Sequence, residues 1–148
     1  MTITVDQIKK LRDETGLGIM DVRKALTESD GDVKKAKEWL EKKGIKRADE
    51  KSGRETVAGY VFSYVHFNGK VGSLVKLACE TDFVAKTEAF QALGKEIAMQ
   101  VASMKPESVE ELLKQDYLRD SSKTIEGMLK VLSGKTGENV KVVAIAVM

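Results

Sequence analysis

The chain has 148 residues, which is enough for one ordinary domain or two small ones. Apolar residues make up 42% and charged residues 32%, a balance that supports a hydrophobic core and excludes a disordered chain. The formal net charge of +2 is too small to argue for nucleic acid as a partner. A single cysteine, Cys79, excludes an intramolecular disulfide. The sequence shows neither a secretory apolar segment nor a membrane-spanning run, so we expect a cytoplasmic protein with no membrane partner.

Three short helices are predicted over residues 1–45. Thr4 and Gln7 have the spacing of a capping box, in which two side chains satisfy the first free backbone N–H groups of a helix. Glycine-containing turns separate the helices, and Asp32 is placed to cap the third one, with Gly44 suited to its C-terminus. Because each helix carries apolar residues at helical spacing, we predict a three-helix bundle.

Residues 46–56 read KRADEKSGRET and contain no large apolar side chain. We predict that they form a charged linker, with some helix allowed, between the bundle and a second domain over residues 57–148. That second domain is predicted to contain a three-stranded antiparallel sheet with helices packed on it. The predicted fold class is therefore α+β.

The strands and helices of the second domain each have a local signal. Side chains alternate from Tyr60 to Phe67, and Asn68-Gly69 predicts a type I′ hairpin turn with positive φ at both central residues. A long helix through Phe90 follows the return strand, and the last helix is expected to close at Gly134. The terminal segment, Val140–Met148, is almost wholly apolar, which is typical of a strand covered on both faces.

The sequence contains no pattern that predicts an enzyme. His66 is the one histidine, and a Cys–His pair with Cys79 across the hairpin is the nucleophilic arrangement that stays open, against a packed cysteine and an edge histidine. Spacings typical of metal ligands do not occur. We therefore predict no catalytic residue, no cofactor and no metal ion.

Two stretches of the sequence say more about function than the overall composition does. Residues 11–26 read LRDETGLGIMDVRKAL, and residues 79–86 read CETDFVAK at a predicted strand-to-helix junction. Both resemble the elongation factor Ts family: the first its N-terminal domain, which is similar to ubiquitin-associated (UBA) domains, and the second its signature. Lys70-Val71-Gly72 and Gly137-Glu138-Asn139 also resemble the family, in the same order along the chain.

The resemblance implies a guanine-nucleotide exchange factor that works without covalent chemistry. Family members bind the GTPase elongation factor Tu with GDP and promote exchange of GDP for GTP by disturbing the Mg²⁺ and phosphate site. Longer members carry a doubled core and a helical hairpin inserted before the last helix. Only about a dozen residues separate Glu111 from Lys123 here, so we expect that insertion and the second core module to be missing.

The resemblance also assigns site residues. It implies that Mg²⁺ is dislodged from elongation factor Tu by Thr81, Asp82, Phe83 and Val84. It implies that the partner is held by Arg12, Ile19, Met20, Arg23 and His66. Without the resemblance, the same patterns fit plain structural roles: Asp82 as a helix cap, Phe83, Ile19 and Met20 as core residues, and His66 as an edge residue.

Two other functions fit parts of the chain. A UBA-like protein-interaction module without exchange activity would explain residues 1–45, and a weak RNA-binding protein would use the basic cluster Lys42–Arg47. No direct nucleic-acid partner is expected from the resemblance. A homodimer is expected, because a twofold pair would rebuild the doubled core of longer members and cover the apolar terminal strand.

Overall fold

The computed structural model describes residues 2–148. Three helices come first, and the rest of this range contains both strands and helices. In chain order the elements are α1 (Val5–Thr15), α2 (Ile19–Glu28), α3 (Val33–Lys51), β1 (Ala58–Val65), β2 (Gly72–Cys79), α4 (Asp82–Ala85), α5 (Glu88–Met104), α6 (Val109–Lys114), β3 (Asp116–Tyr117), β4 (Asp120–Thr124), α7 (Ile125–Thr136) and β5 (Lys141–Val147). The predicted α+β class is confirmed, with a helical bundle before a three-stranded antiparallel sheet.

Helices α1 and α3 begin directly after the capping residues that were predicted from the sequence. The Thr4 hydroxyl accepts the Gln7 N–H at 3.2 Å, and the Gln7 side chain accepts the Thr4 N–H at 2.9 Å, which completes the capping box. Asp32 accepts the Lys35 N–H at 3.1 Å and so caps α3. The three helices then bury one hydrophobic cluster of their own, formed by Leu11, Val22, Ala25, Leu26, Ala36 and Leu40. This cluster explains why short helices of modest propensity stay folded.

The helix ends predicted at Gly44 and Gly134 are both wrong. Helix α3 continues through Gly44 to Lys51, and α7 continues through Gly134 to a left-handed Gly137 with φ 77°. The two glycines lie where α3 crosses α7, and a Cβ atom on Gly134 would collide with the backbone of Gly44. They are therefore the contact point between two helices, a close approach that needs residues without side chains. Residues 46–51 of the predicted linker continue α3, and the division into two domains stays a prediction.

An ion-pair cluster joins α2 to α3. The carboxylate of Asp21 accepts hydrogen bonds from the Lys43 ammonium at 2.7 Å and from the Arg47 guanidinium at 3.0 Å. The hydrogen bond from Lys43 is the main reason why the pKa of Asp21 lies below its usual value, and partial burial opposes it. The cluster therefore stabilises the bundle while Asp21 is ionised.

We expect Asp21→Asn to lower the free energy of unfolding by about 1 kcal/mol at pH 7, since these partners are partly exposed and screened by water. Because the folded-state pKa is the lower one, this contribution is present above the unfolded value and is lost as the pH falls through the folded value. Urea unfolding of both proteins at pH 7 and near pH 3 measures it. The exposed Asp13→Asn is the control, and an Asp21→Asn deficit that is equally large near pH 3 would contradict the ion-pair account.

The sheet has the strand order β1-β2-β5, with both neighbours antiparallel. Ala58 pairs with Cys79 at one end of the hairpin and Val65 with Gly72 at the other. Helix α5 packs on one face so closely that a Cβ atom on Gly94 would collide with the Phe62 ring. The larger hydrophobic core lies between this face and the helices.

The turn between β1 and β2 is not the predicted type I′. Gly69 is left-handed with φ 71°, whereas Asn68 is absent from the positive-φ residues of the described range. The Gly69 N–H donates to the His66 carbonyl at 2.7 Å, and the Asn68 side chain accepts the Lys70 N–H at 3.0 Å. Asn68 thus shapes the turn through its side chain, and only the glycine takes the left-handed conformation.

The terminal strand β5 is covered on one face only, which corrects the expectation of two covered faces. Ile145 and Val147 pack against the core, whereas Ala144 and Ala146 are exposed. The open face of the sheet is formed by the paired rows Val61, Lys76 and Ala144, and Ser63, Leu74 and Ala146. We refer to these six residues as the open sheet face. It is largely apolar with one central lysine.

A small hairpin, β3–β4, lies between α6 and α7, where no strand was predicted. The Tyr117 hydroxyl donates to Glu96 at 2.6 Å, and the buried amide of Gln100 accepts the Leu118 N–H at 2.8 Å. These contacts tie the hairpin to α5. The chain thereby passes from α6 to α7 at the place where the family resemblance puts a long insertion.

Candidate functional site

The segment Thr81–Val84 forms a single exposed turn directly after β2. Thr81 is the N-cap of α4, and its hydroxyl accepts the Val84 N–H at 3.4 Å. The possible cap at Asp82 is therefore wrong. Val84 is buried in the core, whereas the Phe83 side chain is 88% exposed. An aromatic ring that is left in water next to a carboxylate is available for contact with another protein, and aromatic residues are enriched in such contacts.

The turn is anchored on its C-terminal side as well. The Thr87 hydroxyl donates to the Val84 carbonyl at 2.8 Å and caps α5 by accepting the Phe90 N–H at 3.3 Å. The Gln91 amide donates to the Ala85 carbonyl at 2.8 Å. Phe83 therefore projects from a backbone that is held on both sides of it.

A second candidate surface lies on the N-terminal bundle. Ile19 and Met20 begin α2 and are exposed, Met20 to 71%. They line a groove of about 870 Å³ together with Arg12 and Arg23. The core interpretation of these two apolar residues is wrong, since the buried residues of α2 are Val22, Ala25 and Leu26. We call this surface the α1–α2 groove.

Three further apolar residues of the α1–α2 groove were missed in the sequence. Ile3, Val5 and Ile8 line it as well, and Val5 is exposed. A signal was available, because Val5 and Ile8 have i, i+3 spacing and share a face of α1. The groove therefore combines apolar walls with the two arginines, a composition that suits recognition of another protein.

His66 lies apart from both surfaces. Its Nδ1 is 2.9 Å from the Tyr64 hydroxyl, and its ring lies against the exposed Phe67 ring with the two planes tilted by 50°. Cys79 pairs with Ala58 at the far end of β1, so roughly 25 Å separates it from His66 at about 3.3 Å per residue. A Cys–His pair is therefore excluded.

Cys79 itself is buried at the end of β2. Its thiol donates to the Thr81 carbonyl at 3.2 Å. Burial, followed by the charge of Glu138, raises the pKa of this thiol. Such a thiol is a poor nucleophile and a packing residue.

Two general features of the described chain bear on the kind of site. Over residues 2–148, no three His, Cys, Asp or Glu side chains are grouped so that they could hold a metal ion. None of the helices in this range is both long and apolar enough to cross a membrane.

Comparison with known proteins identifies the family. A family model described as Elongation factor TS matches residues 80–148. A protein named Elongation factor Ts from Thermotoga neapolitana is 39% identical over 96% of this chain and 94% of its own length. Proteins of that name from Prochlorococcus marinus (strain MIT 9312) and Thermosipho melanesiensis are 41% and 47% identical, over 95% and 90% of this chain and 85% and 74% of their own lengths.

One of these alignments also leaves part of the relative without a counterpart in this chain. The alignment with the Prochlorococcus marinus protein has 186 positions, and 95% of this 148-residue chain fills only about 141 of them, so about 45 positions face a gap here. Identity nevertheless extends along nearly the whole chain. The chain therefore belongs to the elongation factor Ts family of translation factors.

Proposed function

We propose that this protein binds elongation factor Tu carrying GDP and promotes the exchange of GDP for GTP. The observation that carries the proposal is the exposed Phe83 ring beside Asp82, on a turn that is anchored at both ends. Family membership supports the identity of the partner. The proposal includes a cytoplasmic location, where that GTPase works in translation, and no covalent chemistry by this chain.

The mechanism needs only differential binding. A GTPase holds its nucleotide through backbone amides of the phosphate loop and through a bound Mg²⁺ ion. A partner that binds better to the distorted, metal-free site must weaken nucleotide binding, and the nucleotide must weaken the partner by the same factor. In the proposal, Phe83 inserts as a rigid wedge and Asp82 presents negative charge, which disturbs the Mg²⁺ and phosphate site.

Thr81 and Val84 have supporting roles in this proposal. Thr81 caps the turn and the buried Val84 fixes it to the core, so in the proposal both act by holding the turn in place. The α1–α2 groove supplies affinity through Ile19 and Met20, with Arg12 and Arg23 at its polar rim. His66 adds a third, separate contact at the other end of the sheet.

The RNA-binding alternative receives less support from the charges. Of the basic cluster Lys42–Arg47, Lys43 and Arg47 already pair with Asp21. Lys43 also lies over the Trp39 ring, with Nζ 5.1 Å from the ring centroid. With two of its four cations already held by one carboxylate, the cluster offers fewer free cations to phosphates.

The effect of GDP on the affinity of elongation factor Tu for this protein distinguishes an exchange factor from a module that only binds. The protein is titrated into elongation factor Tu stripped of nucleotide and Mg²⁺, and into the same GTPase with saturating GDP and Mg²⁺. We expect the Kd to be at least about tenfold lower for the stripped form, within the range of ordinary coupling energies. Equal affinities for both forms would favour the UBA-like module without exchange activity, and failure to bind either form would end the proposal.

We also propose that two copies associate through the open sheet face. Leu74 lies at its centre and is half exposed, between the exposed Ser63 and Ala146 of the neighbouring strands. A second copy is the occupant that gives a closed assembly, because a twofold axis brings the same apolar rows together. It would also give the short chain the two core modules of longer members.

Sedimentation velocity at tens of micromolar is expected to give twice the chain mass of 16.3 kDa. Leu74→Glu should give a monomer with unchanged circular dichroism, because it places a charge in the apolar contact without disturbing the core. Val33→Glu is the matched control, since Val33 is exposed at the start of α3 and outside both surfaces. A monomeric wild-type protein at this concentration would overturn the dimer.

A further inference from the structure

The carboxylate of Glu138 holds the start of the Phe83 turn from a distant part of the chain. Its Oε1 accepts the Glu80 N–H at 3.1 Å and the Thr81 N–H at 2.9 Å. Its Oε2 accepts the Thr81 hydroxyl at 2.7 Å. Three donors at the exit of β2 thus converge on one side chain of the α7–β5 connection. Hydrogen bonds to an ionised acceptor are stronger than neutral ones.

The contact is reciprocal and extends to α3. The Asn139 N–H donates to Glu80 Oε1 at 3.0 Å, opposite the bonds made by Glu138. The buried Asn139 amide donates to the carbonyl oxygens of Ser52 at 3.2 Å and Arg54 at 2.8 Å. Three segments that are far apart in sequence are therefore joined at this point.

Glu138 itself rests on a fixed base. The Ser133 hydroxyl, which belongs to the buried side of α7, donates to the Glu138 carbonyl at 2.5 Å. Gly137 ends α7 in the left-handed conformation and turns the chain toward the sheet. The backbone that carries the Glu138 side chain is thus anchored at the end of α7.

The turn needs such support from outside. Helix α4 has four residues, too few to be stable by its own hydrogen bonds. Phe83 is almost wholly exposed, so its own packing does not set its direction. The backbone of Thr81, from which the turn begins, does so, and Glu138 holds that backbone.

We propose that Glu138 is a positioning residue for nucleotide exchange: it holds the Thr81 backbone so that Phe83 is presented in one orientation. This inference rests on the proposed function of the Asp82–Phe83 pair. A wedge that is fixed before contact loses less conformational freedom on binding and reaches the strained state of its partner more effectively. Glu138 touches neither the partner nor the nucleotide, and it acts through Thr81.

Two conservative variants distinguish the effect of the length of the Glu138 side chain from the effect of its charge. Glu138→Asp keeps the charge but shortens the side chain by one methylene, so it withdraws from the Thr81 N–H. Glu138→Gln loses the charge but keeps an oxygen that can accept both backbone N–H groups. We expect the saturating rate of GDP release from elongation factor Tu to fall about fivefold in Glu138→Asp and less than about twofold in Glu138→Gln. The concentration that gives half the maximal rate should change little in either, because the α1–α2 groove is untouched.

A double-variant cycle with Phe83→Ala distinguishes positioning from a general loss of structure. If Glu138 acts through Phe83, Glu138→Asp adds no further loss when Phe83 is already alanine. Glu110→Asp, an exposed glutamate on α6, is the control and should match wild type. The inference fails if folded Glu138→Asp releases GDP at the wild-type rate, or if its loss persists in the Phe83→Ala background. If Phe83→Ala alone has no effect, it is the proposed function that fails.

Discussion

Phe83→Ala is expected to slow GDP release from elongation factor Tu at least tenfold at saturating protein, with little change in stability. Tenfold corresponds to about 1.4 kcal/mol of lost barrier lowering. The stability should hold because the removed ring is 88% exposed and supports no part of the core. Stopped-flow fluorescence of a labelled GDP, together with thermal unfolding followed by circular dichroism, measures both quantities. Binding to elongation factor Tu should survive, since the α1–α2 groove keeps its contacts.

Phe90→Ala is the matched control for the same chemical change. Phe90 is fully buried in the larger core, 0% exposed, so its truncation should cost about 3–5 kcal/mol of stability. Exchange per folded molecule should remain near the wild-type rate when measured well below the melting temperature. The wedge assignment is wrong if Phe83→Ala destabilises the protein as Phe90→Ala does and leaves exchange per folded molecule unchanged.

Met20→Glu is expected to weaken binding to elongation factor Tu by at least about thirtyfold, or about 2 kcal/mol, the loss typical of a central interface residue. Met20 is 71% exposed in the α1–α2 groove, so the change buries a charge in the complex but not in the free protein. Titration calorimetry gives the Kd, and the dependence of GDP release on protein concentration gives the half-saturating point.

The two variants should fail in opposite ways. Met20→Glu raises the half-saturating concentration and leaves the saturating rate near wild type, because Phe83 is still presented. Phe83→Ala does the reverse. Val33→Glu, which adds the same charge outside the groove, should behave as wild type. If Met20→Glu binds elongation factor Tu with wild-type affinity, the α1–α2 groove is not part of the interface.

The sequence was most informative where a signal is local. Side-chain caps at Thr4 and Asp32 place the starts of α1 and α3 correctly, because the bond from cap to backbone spans only three residues. The alternation from Tyr60 to Phe67 likewise predicted the first strand. Each of these signals is complete within a few residues, so tertiary contacts did not alter the predicted elements.

Gly44 and Gly134 show where such signals fail. Each resembles a helix end when it is considered alone, yet both are helical residues at one crossing of α3 and α7. Glycine is required both where two helices approach closely and where a helix ends, so the residue type alone does not distinguish the two cases. Only the partner helix, some 90 residues away, separates the two meanings, and a single sequence does not provide that pairing.

The candidate site was predictable in part for the same reason. Pattern alone left Phe83 and Met20 open between core and surface, and the structure places both in water. The family resemblance, not the spacing, pointed to them. The contact of Glu138 with Thr81 joins residues 57 positions apart, so no local pattern predicts it. Long-range hydrogen bonds of this kind appear only once the chain is folded.

The central claim, that this protein accelerates nucleotide exchange, is tested most directly by GDP release itself. Elongation factor Tu is loaded with a fluorescent GDP, mixed with excess unlabelled GDP, and the release rate is followed as the protein is added from below to well above the GTPase concentration. The rate is predicted to rise with protein and to saturate well above the intrinsic rate, with Phe83→Ala saturating at least about tenfold lower than wild type. A release rate that stays at its intrinsic value throughout the titration would contradict the claim.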